Sequence, residues 1–336
     1  MGRYVIRRLL QFIPTVLGTM FLLHYITSVG IQLSGNPVRA LFGDRTPTQA
    51  QMDALSAKLG LDDPCLEQKF NPCFGLFGDR LQGIFLHFDF GVNLRGRPVV
   101  EMVADAVPFT LKIVLIAMLF QSIVGIAAGV LAGLRSGSFA DYLVKISTVF
   151  VISVPIFVLG IVVREYVGVK FGNVLRDIDW IPDLISRGVF SAGFKVEYPF
   201  ASLVIPGLVL GAVSLATTAR LTRTSIMENI RSDYVRTAKA KGLARKRVVG
   251  VHTLRNSLIP VITYLGVDVG VLMGGAVVTE RIFNVPGIGL LVARSATGGE
   301  ASVAIGVVTM LVLVFLVVNL LVDLLYAVLD PRIRYE

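Results

Sequence analysis

Six stretches of this chain, at about residues 9–33, 107–134, 143–168, 200–220, 257–282 and 303–329, are apolar and long enough to cross a bilayer. Nothing else in the sequence constrains its fold so strongly. A backbone in hydrocarbon must satisfy its own hydrogen bonds, and segments of this length do so as helices. The expected fold class is therefore an all-α membrane protein with six transmembrane helices. The composition agrees, with 54% hydrophobic and only 16% charged residues. The opening MGRYVIRR followed by an apolar run resembles a signal peptide, but the run is about 25 residues long and no small-residue cleavage site follows. It reads as a retained anchor.

The net charge of +9 raises the question of a nucleic-acid partner, and the placement of the charges answers it. With the N-terminus inside, the inner segments carry 17 of the 32 Lys and Arg against five acids. The outer segments are nearly neutral. This is the positive-inside bias of a multi-pass protein, so no nucleic acid is called for. It places the chain in the cell (inner or plasma) membrane, with N- and C-termini cytoplasmic.

Cys65 and Cys73 both fall in the first outer loop, where disulfides persist, and a bridge between them is expected; two free thiols are the alternative. The sequence divides into residues 1–33 (N-terminus and first span), a loop subdomain at 34–106, and a core at 107–336. In the loop, Thr46 as N-cap, Pro47 at the first helical position and Gly60 past the end frame a short amphipathic helix with Met52, Leu55 and Leu59 on one face.

Glycines recur every fourth residue at Gly125, Gly129 and Gly133, at Gly207 and Gly211, and at Gly266, Gly270 and Gly274. Such stripes let helix backbones approach closely. Pro155 and Pro206 are expected to kink the third and fourth spans.

Between the fourth and fifth spans lies a basic loop, residues 221–256. Its centre, RSDYVRTAKAKGLARKRVVGVHTLRN, carries seven Lys or Arg and one acid, Asp233, between Arg231 and Arg247. Asp233 near the start, alanines within, Lys239 and Lys241 in the last turn and Gly242 as the stop describe a short helix. A second helical run continues toward Pro260. The pair forms an elbow, with small Ala238 and Ala240 leaving room for another surface. A polybasic loop resting on anionic lipid is the alternative.

This loop resembles the EAA loop of binding-protein-dependent ABC transport permeases. The Glu-Ala-Ala triplet corresponds to Arg236, Thr237 and Ala238, and Gly242 follows at the family's spacing. His252 to Arg255 fall where the pattern ends in Ile-x-Leu-Pro, so its glutamate and proline are both replaced. DYVRTAKAKG with LRNSLIPVIT is similar to the peptide permeases, and so are RYVIRRLLQFIPT, HFDFGVNL, TERIFNVPGIG and NLLVDLLYAVLDPRIRY. The resemblance covers almost the whole chain and indicates a B-type subunit of a dipeptide or oligopeptide permease.

What the resemblance implies is a type I importer. Its partners are a second, C-type permease subunit forming a heterodimer, two ATPase subunits and an extracytoplasmic peptide-binding protein. No cofactor is implied for this chain; ATP and Mg²⁺ belong to the ATPase subunits. The sequence holds no Gly-Lys dipeptide, hence no P-loop, so this chain is not itself an enzyme. The implied docking surface comprises Tyr234, Val235, Arg236, Thr237, Ala238, Lys239, Ala240, Lys241, Gly242, Leu243 and Arg245. Substrates of similar permeases include glutathione, nickel chelates and sugars. A secondary transporter or channel is the reading from another class; it explains the spans but not the basic elbow.

Two carboxylates fall inside spans and away from their ends. Asp268, near the midplane of the fifth, is a candidate pathway residue for a peptide amino terminus, or the partner of a polar or basic group in the other subunit. Asp323, four residues after Asn319, is expected to pack, or to pair with Arg220 or Arg223, rather than to contact substrate. His24, His87 and His252 are scattered, and no metal site is expected.

Overall fold

A computed structural model describes the backbone of residues 2–34, 48–59, 62–93, 95–298 and 300–329, and these are almost entirely helical. Five helices are long and apolar enough to cross a membrane, or six where a pair bent by 102° is counted as one span. The chain folds as two compact units, residues 1–108 with 287–336, and residues 109–286. The first loop and the last span thus group with the first span.

In the first unit, α1 (Gly2–Ser34) carries the opening apolar run. It is followed by α2 (Gln49–Leu59) and α3 (Phe74–His87). The predicted helix is α2, but Thr46, Pro47 and Gly60 lie outside the described residues. The sequence gives little sign of α3, whose FGLFGDRLQGIFLH includes three glycines. It forms because one face packs on α1: Val16, Met20 and Ile84 are buried together with Phe77 and Leu81 against them. Phe21 stacks on Phe74 and meets Phe77 edge-on, with ring centroids 5.4 and 5.3 Å apart.

A disulfide joins Cys65 to Cys73 immediately before α3. Gln32 and His24 of α1 bond the same segment, Gln32 Nε2 donating to the Asn71 carbonyl at 2.8 Å and the His24 ring lying 3.3 Å from the Cys73 carbonyl. Arg80 approaches His24 at 3.4 Å, and burial lowers the pKa of its guanidinium below the usual value. The start of α4 (Val99–Phe120), the short α13 (Ile288–Thr297) and α14 (Ala301–Leu329) bury Val99, Val103, Ile288, Val303 and Val307 in a second cluster.

In the second unit, α4 continues through a π turn (Gln121–Gly125) into α5 (Ile126–Leu134). The third predicted span is not one helix. α6 (Phe139–Ser153) and α7 (Ile156–Val163) meet at Pro155 with a bend of 102° over the stretch to Arg176. At 15 residues, α6 reaches about 22 Å, short of the roughly 30 Å hydrocarbon layer. A π segment (Arg164–Phe171) and α8 (Gly172–Arg176) follow.

The fourth span, α9, runs Val204–Asn229, nine residues beyond its expected end. Pro206 does not kink it. The proline sits in the first turn, where its missing N–H has no intrahelical partner to lose. Next come α10 (Asp233–Ala240), α11 (Arg245–Arg247) with a π segment (Val248–Leu254), and the fifth span α12 (Arg255–Phe283).

Two of the three glycine stripes are helix seams. A Cβ on Gly129 would lie 2.5 Å from the Ala219 carbonyl oxygen and from Thr222 Cβ, and one on Gly133 2.8 Å from Ile226. Gly125 faces Thr218 in the same way, so α5 and α9 touch along their backbones. Gly207 and Gly211 admit Ile116 and Ala117 of α4. The third stripe is different: Gly274 is exposed with open space around it, and its neighbour Gly275 faces Leu210 instead.

Candidate coupling elbow and buried carboxylates

The basic loop is shorter than expected because α9 extends to Asn229, leaving residues 230–254 as the elbow. Ser232, extended at φ −68° and ψ 155°, precedes α10. At the far end Gly242, at φ +75°, accepts the left-handed turn. Its N–H donates to the Lys239 carbonyl at 3.0 Å, and the Leu243 N–H reaches back to Ala238 at 3.3 Å. This is a Schellman stop, and the accompanying apolar contact is present: Leu243 packs on Val235, Ala238 and Val248.

These contacts sort the predicted docking residues. Val235 and Ala238 are buried, Leu243 is half-buried, and the three hold the elbow together from inside. Ala238 therefore does not leave room for another surface, as its small size suggested; Leu243 fills that space. Tyr234, Arg236, Thr237, Lys239, Ala240, Lys241, Gly242 and Arg245 are exposed. Tyr234 donates a short hydrogen bond to Asn229 at the end of α9, and Arg236 pairs with Asp233 at 3.3 Å. On the other side, the Ser257 hydroxyl of α12 donates to the Thr253 carbonyl of the elbow at 2.9 Å. The elbow is thus tied to both helices that flank it.

Asp141 is wholly buried at the start of α6. Arg223 of α9 grips it with two nitrogens, at 2.5 and 3.0 Å, while Lys145 Nζ and the Gly137 N–H reach Oδ2 at 3.0 and 2.9 Å. A bidentate guanidinium with two further donors is what a carboxylate out of water requires. Arg223 was expected beside Asp323; Asp141 takes it instead, and the side chain of Asp323 lies outside the described residues.

Asp268 sits halfway along the 29-residue α12 and is only 2% exposed. Three neutral donors of its own chain surround it. Gln121 Nε2 reaches Oδ2 at 2.8 Å, and the Ser214 and Tyr264 hydroxyls reach Oδ1 at 3.1 and 3.0 Å. The carboxylate is turned toward α9 and the π turn after α4 rather than toward open space. A third buried acid, Glu280, not singled out in the sequence, is fully buried on α12 and accepts a bond from Thr110 at 2.6 Å. Its position one turn from Phe283 was the available signal.

These features define a class: a multi-pass helical membrane protein with a compact, basic elbow between its fourth and fifth spans. The family model of the binding-protein-dependent transport system inner membrane component matches residues 125–335, which include the elbow, the buried carboxylates and the last three spans. The chain belongs to that family. Over its full length it is 34% identical to the dipeptide transport system permease protein DppB of Escherichia coli K12, with all of both chains covered. It is 36% identical to the di/tripeptide transport system permease protein DppB of Pseudomonas aeruginosa UCBPP-PA14, with 99% of each covered. The glutathione transport system permease protein GsiC of Escherichia coli K12 is 34% identical, again over the whole of both.

Proposed function

We propose that this chain is one of two permease subunits of an ATP-driven importer of short peptides. The observation that carries the reading is similarity over the entire chain to permeases for dipeptides, tripeptides and glutathione, itself a tripeptide. The chain contributes half of the pathway, paired with a C-type subunit. A peptide-binding protein delivers substrate outside, and two ATPase subunits carrying ATP and Mg²⁺ act inside, where both termini lie.

In this reading the exposed face of the elbow, from Tyr234 to Arg245, docks on an ATPase subunit. Closure of the ATPase dimer moves the elbow, and its ties to α9 and α12 pass that movement to the two spans. An inward-open pathway then becomes outward-open. Asp268 acts as a brace between the moving helices rather than as a contact for the peptide's amino terminus.

The test is reconstitution of the complete transporter in vesicles with a dipeptide outside. Peptide-stimulated ATP hydrolysis and uptake are expected together. Gly242→Leu should abolish the stimulation while the chain still inserts; its φ, not its surroundings, is what a side chain would violate. Uptake of peptide without ATPase subunits, or full coupling in Gly242→Leu, would refute the reading.

A further inference from the structure

At the end of α12 opposite the elbow, the second unit holds a cleft of about 310 Å³ lined by Arg164, Arg176 and Lys195 with Asn173 and Asn284. No carboxylate lines it, and among the described residues none of the three cations makes an ion pair. Three uncompensated positive charges converging on one cleft repel one another, so a fold that brings them together is stabilised by an anion between them.

The cleft is built rather than incidental. Gly168 and Gly193 form its floor, Gly172 lies next to the lining residue Asn173, and each of the three is a close approach. A Cβ on Gly168 would stand 2.9 Å from the Ser191 carbonyl oxygen, one on Gly172 2.3 Å from that of Phe190, and one on Gly193 2.7 Å from that of Phe283. The Phe194 N–H donates to the Phe283 carbonyl at 3.0 Å, fastening the floor to the end of α12. Arg164 is held by its Nε on the Ala192 carbonyl at 3.0 Å, and Arg176 by Nη1 on Asn173 at 2.7 Å. Each guanidinium is fixed through one nitrogen, with the remaining nitrogens available.

The surroundings choose between a soluble and an amphiphilic anion. Phe157 and Ile161 on α7 and Arg164 at the start of the π segment follow one another at helical spacing, so an exposed apolar stripe leads up to the first cation of the cleft. Phe171, Trp180 and Phe200 are also exposed nearby in sequence, and Trp180 is 82% exposed, as aromatic residues are at a membrane–water boundary. An apolar track ending in a basic cradle matches an acyl chain ending in a phosphate.

We infer that this cleft binds the headgroup of an anionic phospholipid, with Arg164, Arg176 and Lys195 on the phosphate and an acyl chain along Phe157 and Ile161. The site is distinct from the elbow and from the buried carboxylates. A lipid there links the loop before α9 to the end of α12.

The experiment is native mass spectrometry of the delipidated full-length protein titrated with phosphatidylglycerol, phosphatidylcholine, inorganic phosphate or dialanine. Phosphatidylglycerol should bind well ahead of phosphatidylcholine. Arg176→Gln with Lys195→Gln removes two charges without touching the floor and should weaken phosphatidylglycerol at least about tenfold. Arg187→Gln, which removes an exposed basic residue paired with Asp183 outside the cleft, should leave it unchanged. The inference fails if the double variant binds phosphatidylglycerol like the parent, or if Arg187→Gln weakens it equally. It also fails if phosphate or dialanine displaces the lipid at equal concentration, since the cleft then recognises a free anion or a peptide carboxylate. A melting temperature unchanged in detergent separates lost binding from lost folding.

Discussion

Asp141 and Asp268 are both carboxylates buried in the second unit, and they are satisfied in opposite ways. Asp141, at the start of its helix, meets Arg223, Lys145 and a main-chain N–H. Asp268, halfway along its span, meets an amide and two hydroxyls. A cation deep in the bilayer would itself need desolvating, whereas neutral donors on neighbouring helices cost far less to bury. Near the end of a span an arginine keeps part of its side chain in contact with water, and Arg223 is 17% exposed. The comparison teaches that position along the span, not residue type, decides whether a buried acid is held by charge or by dipoles.

That comparison is open to breakage. Asp141→Asn should be the most damaging change, because it strands Arg223 without its counter-ion, and a loss of about 3 kcal/mol is expected in denaturant unfolding in detergent. Restoration of the lost stability by Arg223→Met in the same chain would show that the stranded charge is responsible. Ser214→Ala removes one of three donors from Asp268 and should cost about 1.5 kcal/mol in the same assay. Asp268→Asn should change stability by less than about 1 kcal/mol. The Gln121 side-chain oxygen Oε1 is buried with no hydrogen-bond partner, so a turn of the Gln121 side-chain amide presents an acceptor to the new amide group. If Asp268→Asn proves as harmful as Asp141→Asn, the contrast between charge and dipole is wrong.

Much of the fold was written in local patterns. The fifth and sixth spans fall within two residues of their expected limits, because Gly or Pro and charged residues bound both apolar runs. Gly242 as a helix stop was readable from its place after an Ala- and Lys-rich run, and its φ agrees. What was not readable depended on partners distant in sequence. The end of α9 was set too early because Arg220 and Arg223 looked like loop residues, and Asp141 lies 82 positions away from Arg223. The donors around Asp268 come from as far as 147 positions away. The two prolines differ only in where their helices begin, which hydropathy does not resolve. Ala238 was misjudged for a related reason: smallness alone does not say whether a neighbour in the same loop fills the gap.

The seam between α5 and α9 limits how this protein can change shape. Gly129 lets the two main chains meet with no side chain between them, and the clasp of Arg223 on Asp141 ties α9 to the segment that follows α5. Helices joined so tightly cannot slide past one another; they travel as a single strut. Any swing that brings a solute through therefore carries both helices together, and the sharp corner around Pro155 is a break in the chain beyond that strut.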